Sequence, residues 1–139
     1  MASIDKTYRI MVVDDEPEIA EAVAYMLSTI TDHHVEPFID PCLAIGAFQD
    51  NPYHLVLTDL RMPKIEGLEL IRQIKEIQPD TEVYIMTAVK DQGTIHTSIE
   101  LGASDIFYKP IDLVGMEKAV CKSHESFLQK SKFQEHLSN

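Results

Sequence analysis

Five short apolar runs, each stopped by a polar or turn-forming residue and separated by stretches with helical spacing, constrain this chain more than any other feature. The runs are Arg9 to Val13, Val35 to Ile39, Leu55 to Leu57, Glu82 to Ala88 and Asp105 to Tyr108. Runs of that length suit strands covered on both faces of a sheet. Pro17 suits the first turn of a helix with Ile19, Val23, Met26, Leu27 and Ile30 on its apolar face, and Asp40 with Pro41 starts a second helix through Leu43, Ile45 and Phe48. Gly67 to Ile77 forms a third helix, and Ile95, Ile99 and Leu101 lie on a fourth that Gly102 ends. Asp112 caps a last helix with Leu113, Met116, Val120, Phe127 and Leu128 on its apolar side. Strict alternation of strand and helix predicts a doubly wound α/β fold, a five-stranded parallel sheet with helices on both faces. Pro37 cannot donate to a ladder, which places the second strand at a sheet edge.

A chain of 139 residues, 45% apolar and 25% charged, can bury one ordinary core. The segment Met1 to Lys6 has no hydrophobic stretch of leader length, and no apolar run reaches membrane-spanning length, so a cytoplasmic protein without a membrane contact is expected. A net charge of -11 opposes binding to phosphate backbones, which argues against nucleic acid as a direct partner. Cys42 and Cys121 have apolar neighbours and no metal-ligand spacing, and are expected to be buried free thiols. The histidines are scattered, and the adjacent His33 and His34 point different ways in a strand or turn, which disfavours a metal pair.

The residues that end the strands carry the chemistry. In a doubly wound sheet, ligands bind outside the carboxyl ends of the strands, where this fold gathers Asp14, Asp15, Asp59, Thr87 and Lys109 on one rim. Taken singly, each has a plain explanation: capping acids, a strand end, a β-branched strand residue, a solvated lysine. Together they form a set. Three close carboxylates repel, and a hard divalent cation with oxygen ligands relieves the repulsion, so Mg2+ is the expected cofactor. With the charge neutralised, one carboxylate can attack phosphorus to form an aspartyl phosphate, Lys109 can pair with phosphoryl oxygens, and Thr87 can donate a hydroxyl hydrogen bond.

The motifs Val13-Asp14-Asp15-Glu16, Asp59-Leu60-Arg61-Met62-Pro63 with Gly67 following, Thr87-Ala88 and Lys109-Pro110 resemble those of the receiver domains of two-component response regulators, similar to the single-domain chemotaxis regulator. The resemblance runs from about Tyr8 to about Phe127. It implies a flavodoxin-like (βα)5 fold with strand order 2-1-3-4-5 and a cis Lys109-Pro110 bond, a geometry found in about 5–6% of X–Pro bonds. It also implies Asp59 as phosphoacceptor, with Asp15, Asp59 and the Arg61 backbone carbonyl as direct magnesium ligands and Asp14 acting largely through water. Lys109 would hold the phosphoryl group and Thr87 would report it. The implied partners are a histidine kinase or histidine phosphotransfer protein as donor and a downstream output domain or protein, with a phosphorylation-dependent homodimer as one form of output. A receiver over residues 1–130 is expected, with a helix end or linker stub over 131–139, where the apolar periodicity of the last helix has faded.

Such a domain is a phosphoacceptor switch rather than an enzyme; self-phosphorylation from donors and self-dephosphorylation are the only reactions expected of it. Two other readings are a phosphorylation-independent adaptor that keeps only the fold, and an aspartyl-nucleophile phosphatase. The intact five-residue set argues against the first. The second typically wants an Asp-x-Asp nucleophile motif, where this chain has the adjacent Asp14-Asp15. Two departures stand out. Ile106 occupies a strand-five position that is usually aromatic in the family, which redirects signal output toward the 88–93 loop and the fourth helix. Arg61 and Val89 fill the two variable positions that tune dephosphorylation, and both are expected to shield the aspartyl phosphate from water.

Overall fold

A computed structural model describes residues 8–138; the amino-terminal segment read above for a leader and the final Asn139 lie outside the described residues. The elements alternate as expected: β1 (Arg9–Val13), α1 (Pro17–Ile30), β2 (His34–Phe38), α2 (Pro41–Asp50), β3 (Leu55–Thr58), α3 (Gly67–Ile77), β4 (Glu82–Thr87), α4 (Gln92–Glu100), β5 (Ala103–Tyr108) and α5 (Leu113–Ser138). All neighbouring strands are parallel, in the order β2-β1-β3-β4-β5, which puts the Pro37 strand at an edge. Ile39, read as part of that strand, lies beyond it and is exposed.

Side chains of a strand alternate between faces, and the sheet uses both. Met11, Val13, Val56, Val83 and Ile85 face one way and pack with Ala44, Ile45 and Phe48 of α2, Leu70, Ile71 and Ile74 of α3, and Ile95 of α4. Ile10, Val12, Leu55, Leu57, Tyr84 and Met86 face the other way against Val23, Ala24 and Leu27 of α1 and Met116 and Val120 of α5. The helix starts follow local chemistry. Pro17 and Pro41 sit in first turns where a missing N–H costs nothing, and the Asp40 side chain accepts a hydrogen bond from Cys42 N. Gly102, at φ 119°, ends α4 in a conformation that favours glycine.

Several helix faces differ from those expected. Ile30, Leu43, Ile99 and Leu113 are exposed, and small residues such as Ala20, Ala24 and Ala44 take the buried positions instead. A helix can approach a sheet closely where alanines line the contact, and spacing alone does not reveal that choice. Both cysteines are free but exposed, correcting the expectation of buried thiols. The Asp91 side chain accepts from Gly93 N and caps α4, so Gly93 belongs to the helix rather than the preceding loop. Helix α5 continues through Ser138, beyond where its apolar periodicity fades. No described helix is long and apolar enough to cross a membrane.

Two phenols tie α5 to the sheet. The Tyr8 hydroxyl bonds the Ser123 hydroxyl, and Tyr84 donates to the Ala119 carbonyl at 2.9 Å. Burial pushes the Tyr84 phenol from its ordinary value of 10 up to about 12 and pushes Tyr8 up as well. Because the folded state holds these protons more tightly than the unfolded chain, their contribution is full below pH 10 and is lost as pH rises through about 12. Stability should fall steeply over that window, and the fall should be shallower in Tyr84→Phe. Denaturant titrations at a series of alkaline pH values measure this, and an unchanged slope in the variant would contradict the assignment.

Candidate functional site

The carboxyl ends of the strands stand level because the ladders are in register there: Val13 pairs with Thr58, Thr58 with Ile85, and Thr87 with Tyr108. Each chain then adds a further hydrogen bond before it turns away. Asp59 N donates to Val13 O at 3.1 Å and Lys109 N donates to Thr87 O at 2.9 Å. Residues 14, 59, 87 and 109, far apart in sequence, are thereby delivered to one rim.

Asp14, Asp15 and Asp59 place one carboxylate oxygen each within 4.8 Å of one another. Asp14 is 0% exposed and Asp59 6%, whereas Asp15 is half-buried. The Asp59 carboxylate is held from both sides. Its Oδ1 accepts from Leu60 N at 2.6 Å and Arg61 N at 3.2 Å, and its Oδ2 accepts from Lys109 Nζ at 2.9 Å. Gly67 makes the floor of this arrangement. A Cβ there would stand 2.3 Å from Asp59 O and 2.6 Å from Leu60 Cα, so only glycine lets the start of α3 lie on the Asp59 peptide.

The electrostatics reflect four charges in a small space. Burial pushes the Asp14 carboxyl above its ordinary value, and the neighbouring Lys109 opposes that rise without cancelling it. Burial alone would depress the Lys109 ammonium, but the close carboxylates of Asp14, Asp59 and Glu16 outweigh it and hold its pKa above the usual lysine value. Asp14 Oδ2 lies 2.8 Å from Lys109 Nζ, yet the geometry of that contact does not make a hydrogen bond. It is the buried side-chain oxygen left without a hydrogen-bond partner among the described residues. An orphaned buried carboxylate oxygen beside two more carboxylates is an oxygen-only donor set, which suits a hard divalent cation that keeps several waters. Among the described residues this is the group of three or more ligand-type side chains close enough to hold a metal.

Thr87 is fully buried at the end of β4, and its Oγ1 accepts from Val89 N at 2.9 Å. Arg61 is exposed on the loop after β3, and its amide is already engaged by Asp59. Ile106 is partly buried and packs toward the α2, α3 and α4 side of the sheet. The adjacent Phe107 does not replace a ring at that position, because strand alternation turns it to the other face, where it meets Tyr84 with centroids 5.8 Å apart. The Lys109-Pro110 peptide is cis, as the resemblance implied.

One residue of the rim entered from sequence only as the end of a motif, with no role of its own. Glu16 Oε2 accepts from Lys109 Nζ at 3.0 Å, across 93 residues of sequence, and no spacing rule reaches that far. The fold also gathers three of the scattered histidines. His33, His54 and His124 surround Tyr8 with ring centroids 4.9, 5.3 and 4.9 Å away, at the opposite end of the sheet from the acidic rim. A cavity of about 260 Å3 adjoins that end, lined by Tyr8, His54, Phe127 and Lys130 among others, and it includes none of the three clustered aspartates.

Comparison with known proteins agrees with this geometry. The family described as response regulator receiver domain matches residues 10–121. Response regulator RR06 of Streptococcus pneumoniae serotype 2 (strain D39 / NCTC 7466) is 35% identical over 111 residues, which cover 80% of this chain and 50% of that protein. The structure of the BeF3-activated DrrB receiver domain superposes with a TM-score of 0.78 at 28% identity, covering 85% of this chain and 97% of that one. The receiver domain of NtrX from Brucella abortus gives 0.77 at 29% identity, covering 84% of this chain and 98% of that one. The chain spans about half the length, or less, of curated relatives such as RR06 and PilR of Pseudomonas aeruginosa (strain PAO1).

Proposed function

The chain belongs to the response regulator receiver domain family of two-component signalling, and from that premise we propose that it is a magnesium-dependent phosphoacceptor switch with Asp59 as the acceptor. The observation that carries the reading is the rim itself: a buried aspartate held by two backbone amides and a lysine, beside an orphaned carboxylate oxygen of Asp14. Asp15, Asp59 and the Arg61 carbonyl would hold the ion directly, with Asp14 reached largely through water. A bound magnesium ion would offset the repulsion of the three carboxylates and draw charge from the phosphoryl oxygens.

The chain's own residues do the rest. Leu60 N and Arg61 N fix one Asp59 oxygen and thereby aim the carboxylate. As an Asp59 oxygen forms its bond to phosphorus, the P–N bond of a phosphohistidine on the donor breaks, and the departing imidazole takes a proton from water. Lys109 exchanges its contact with Asp59 Oδ2 for a phosphoryl oxygen. The Thr87 hydroxyl, whose oxygen accepts from Val89 N, donates its own proton to another, and a bond to a charged acceptor is roughly twice as strong as a neutral one. Ile106 is β-branched and has few rotamers, so the change leaves through the loop between β4 and α4 and through α4 itself rather than by a ring swing. The donor is a histidine kinase or histidine phosphotransfer protein, an output domain or protein lies downstream, and no turnover of a separate substrate is involved. Residues 1–130 make up the receiver in this reading, with 131–139 as a helix end or linker stub.

Intact-mass spectrometry after treatment with acetyl phosphate tests the proposal. One added phosphoryl group is expected with magnesium and none after chelation. Equal labelling with and without the ion would remove the metal from the mechanism, and no labelling at all would remove the function.

A further inference from the structure

Lys109 carries three carboxylates. Its Nζ lies 2.8 Å from Asp14 Oδ2, 2.9 Å from Asp59 Oδ2 and 3.0 Å from Glu16 Oε2. The first two belong to the acidic cluster, and the third does not. Glu16 is the residue before α1, in the position where a side chain commonly accepts a hydrogen bond from a first-turn amide, yet its carboxylate makes no such bond. Its backbone is pinned instead: Glu16 N donates to Asp14 Oδ1 at 2.9 Å, and Glu16 O accepts from Ile19 N and Ala20 N at 3.1 Å each. The side chain therefore starts from a fixed point and reaches over the rim to the lysine.

An ammonium has three N–H donors and no more. Hydrogen bonds to Asp59 and Glu16 take two of them and the Asp14 carboxylate crowds the third at 2.8 Å, so a phosphoryl oxygen reaching Lys109 must push one of these carboxylates aside. Asp14 and Asp59 are part of the reaction centre, where a bound magnesium ion and the new bond would offset their charge. Glu16 has no such relief, because it lies outside the clustered aspartates and its side chain is 53% exposed. It thus competes with the phosphoryl group for the lysine throughout.

We propose that Glu16 is a positioning residue that holds Lys109 back from the phosphoryl group and so slows phosphorylation of Asp59. The proposal rests on the reading of Asp59 as phosphoacceptor. Two ways of removing the contact separate its effect from that of charge. Glu16→Gln removes the negative charge, whereas Glu16→Asp keeps it but is one methylene too short to hold the same position. If the contact matters, both variants release the lysine; if only the charge near an anionic donor matters, only the first has an effect.

The rate of phosphorylation by acetyl phosphate at saturating magnesium should rise about threefold in both variants, in line with an exposed ion pair coupling by up to about 1 kcal/mol, or roughly fivefold. The increase should vanish in a Lys109→Ala background, or in Lys109→Met if the shorter side chain impairs folding, because the effect passes through the ammonium. A second readout needs no phosphoryl group: in the metal-free protein, the NMR resonances of the Lys109 Cε methylene should shift in Glu16→Asp. An Asp variant that behaves like the parent in rate and spectrum overturns the proposal, as does a rate increase that survives loss of the lysine. A parent that takes up no phosphoryl group would overturn the functional reading itself. Unchanged rates in variants of a parent that is phosphorylated would overturn only the role of Glu16.

Discussion

Asp59→Asn is expected to take up no phosphoryl group from acetyl phosphate and magnesium while folding as the parent does. The amide is nearly isosteric with the carboxylate, so an oxygen at the Oδ1 position still accepts from Leu60 N and Arg61 N, and the loop after β3 keeps its shape. What disappears is the charged nucleophile, because an amide oxygen does not displace a leaving group from phosphorus at a useful rate. Metal-free stability should not fall. Removing one of three clustered carboxylates relieves repulsion, and Lys109 retains Asp14 and Glu16 as partners. Peptide mapping and a thermal melt check the two halves. A phosphoryl group found on Asp14 or Asp15 in the parent, or undiminished labelling in the variant, would show that the acceptor had been wrongly assigned.

The second large effect lies in the backbone. Gly67→Ala should destabilise the protein by at least about 3 kcal/mol, since the added methyl would meet a peptide that cannot step aside as a flexible side chain can. Its Cβ would stand 2.3 Å from Asp59 O and 2.6 Å from Leu60 Cα. Either α3 must lift from the sheet, exposing Leu70, Ile71 and Ile74, or the Asp59 peptide must move and carry its carboxylate with it. Phosphorylation should therefore slow along with the loss of stability. Gly46 in α2 is the control: a Cβ there meets nothing within 4 Å, so Gly46→Ala should stabilise by about 0.5–1 kcal/mol through helix propensity alone. Urea titration of both variants decides, and a loss below about 1 kcal/mol for Gly67→Ala would mean that the close approach is not held in solution.

The order of elements could be read in the sequence because it depends on local, short-range rules. Apolar runs such as Arg9 to Val13 and Leu55 to Leu57 became central strands, and Pro17, Pro41 and Gly102 marked helix ends where backbone chemistry requires them. The acidic rim followed from the same logic, since a carboxylate that stops a buried strand must emerge at the end of the sheet. Which helix residues are buried was less accessible. Spacing chose the large residues Leu43, Ile99 and Leu113, but packing left those three in solvent and buried Ala44, Ser98 and Met116. The exposure of Cys42 and Cys121 was missed for the same reason, because each lies just off the buried stripe of its helix.

The sequence by itself determined which residues end the strands and what chemistry they can support, because both are written in residue type and in periods of two and 3.6. Only the tertiary structure decided how those residues share their charges. The reach of Glu16 to Lys109, the unsatisfied oxygen of Asp14, the seat of Gly67 on the Asp59 peptide and the gathering of His33, His54 and His124 around Tyr8 all join segments far apart in the chain. No local rule reaches them, since their distances are set by strand register and helix packing acting together.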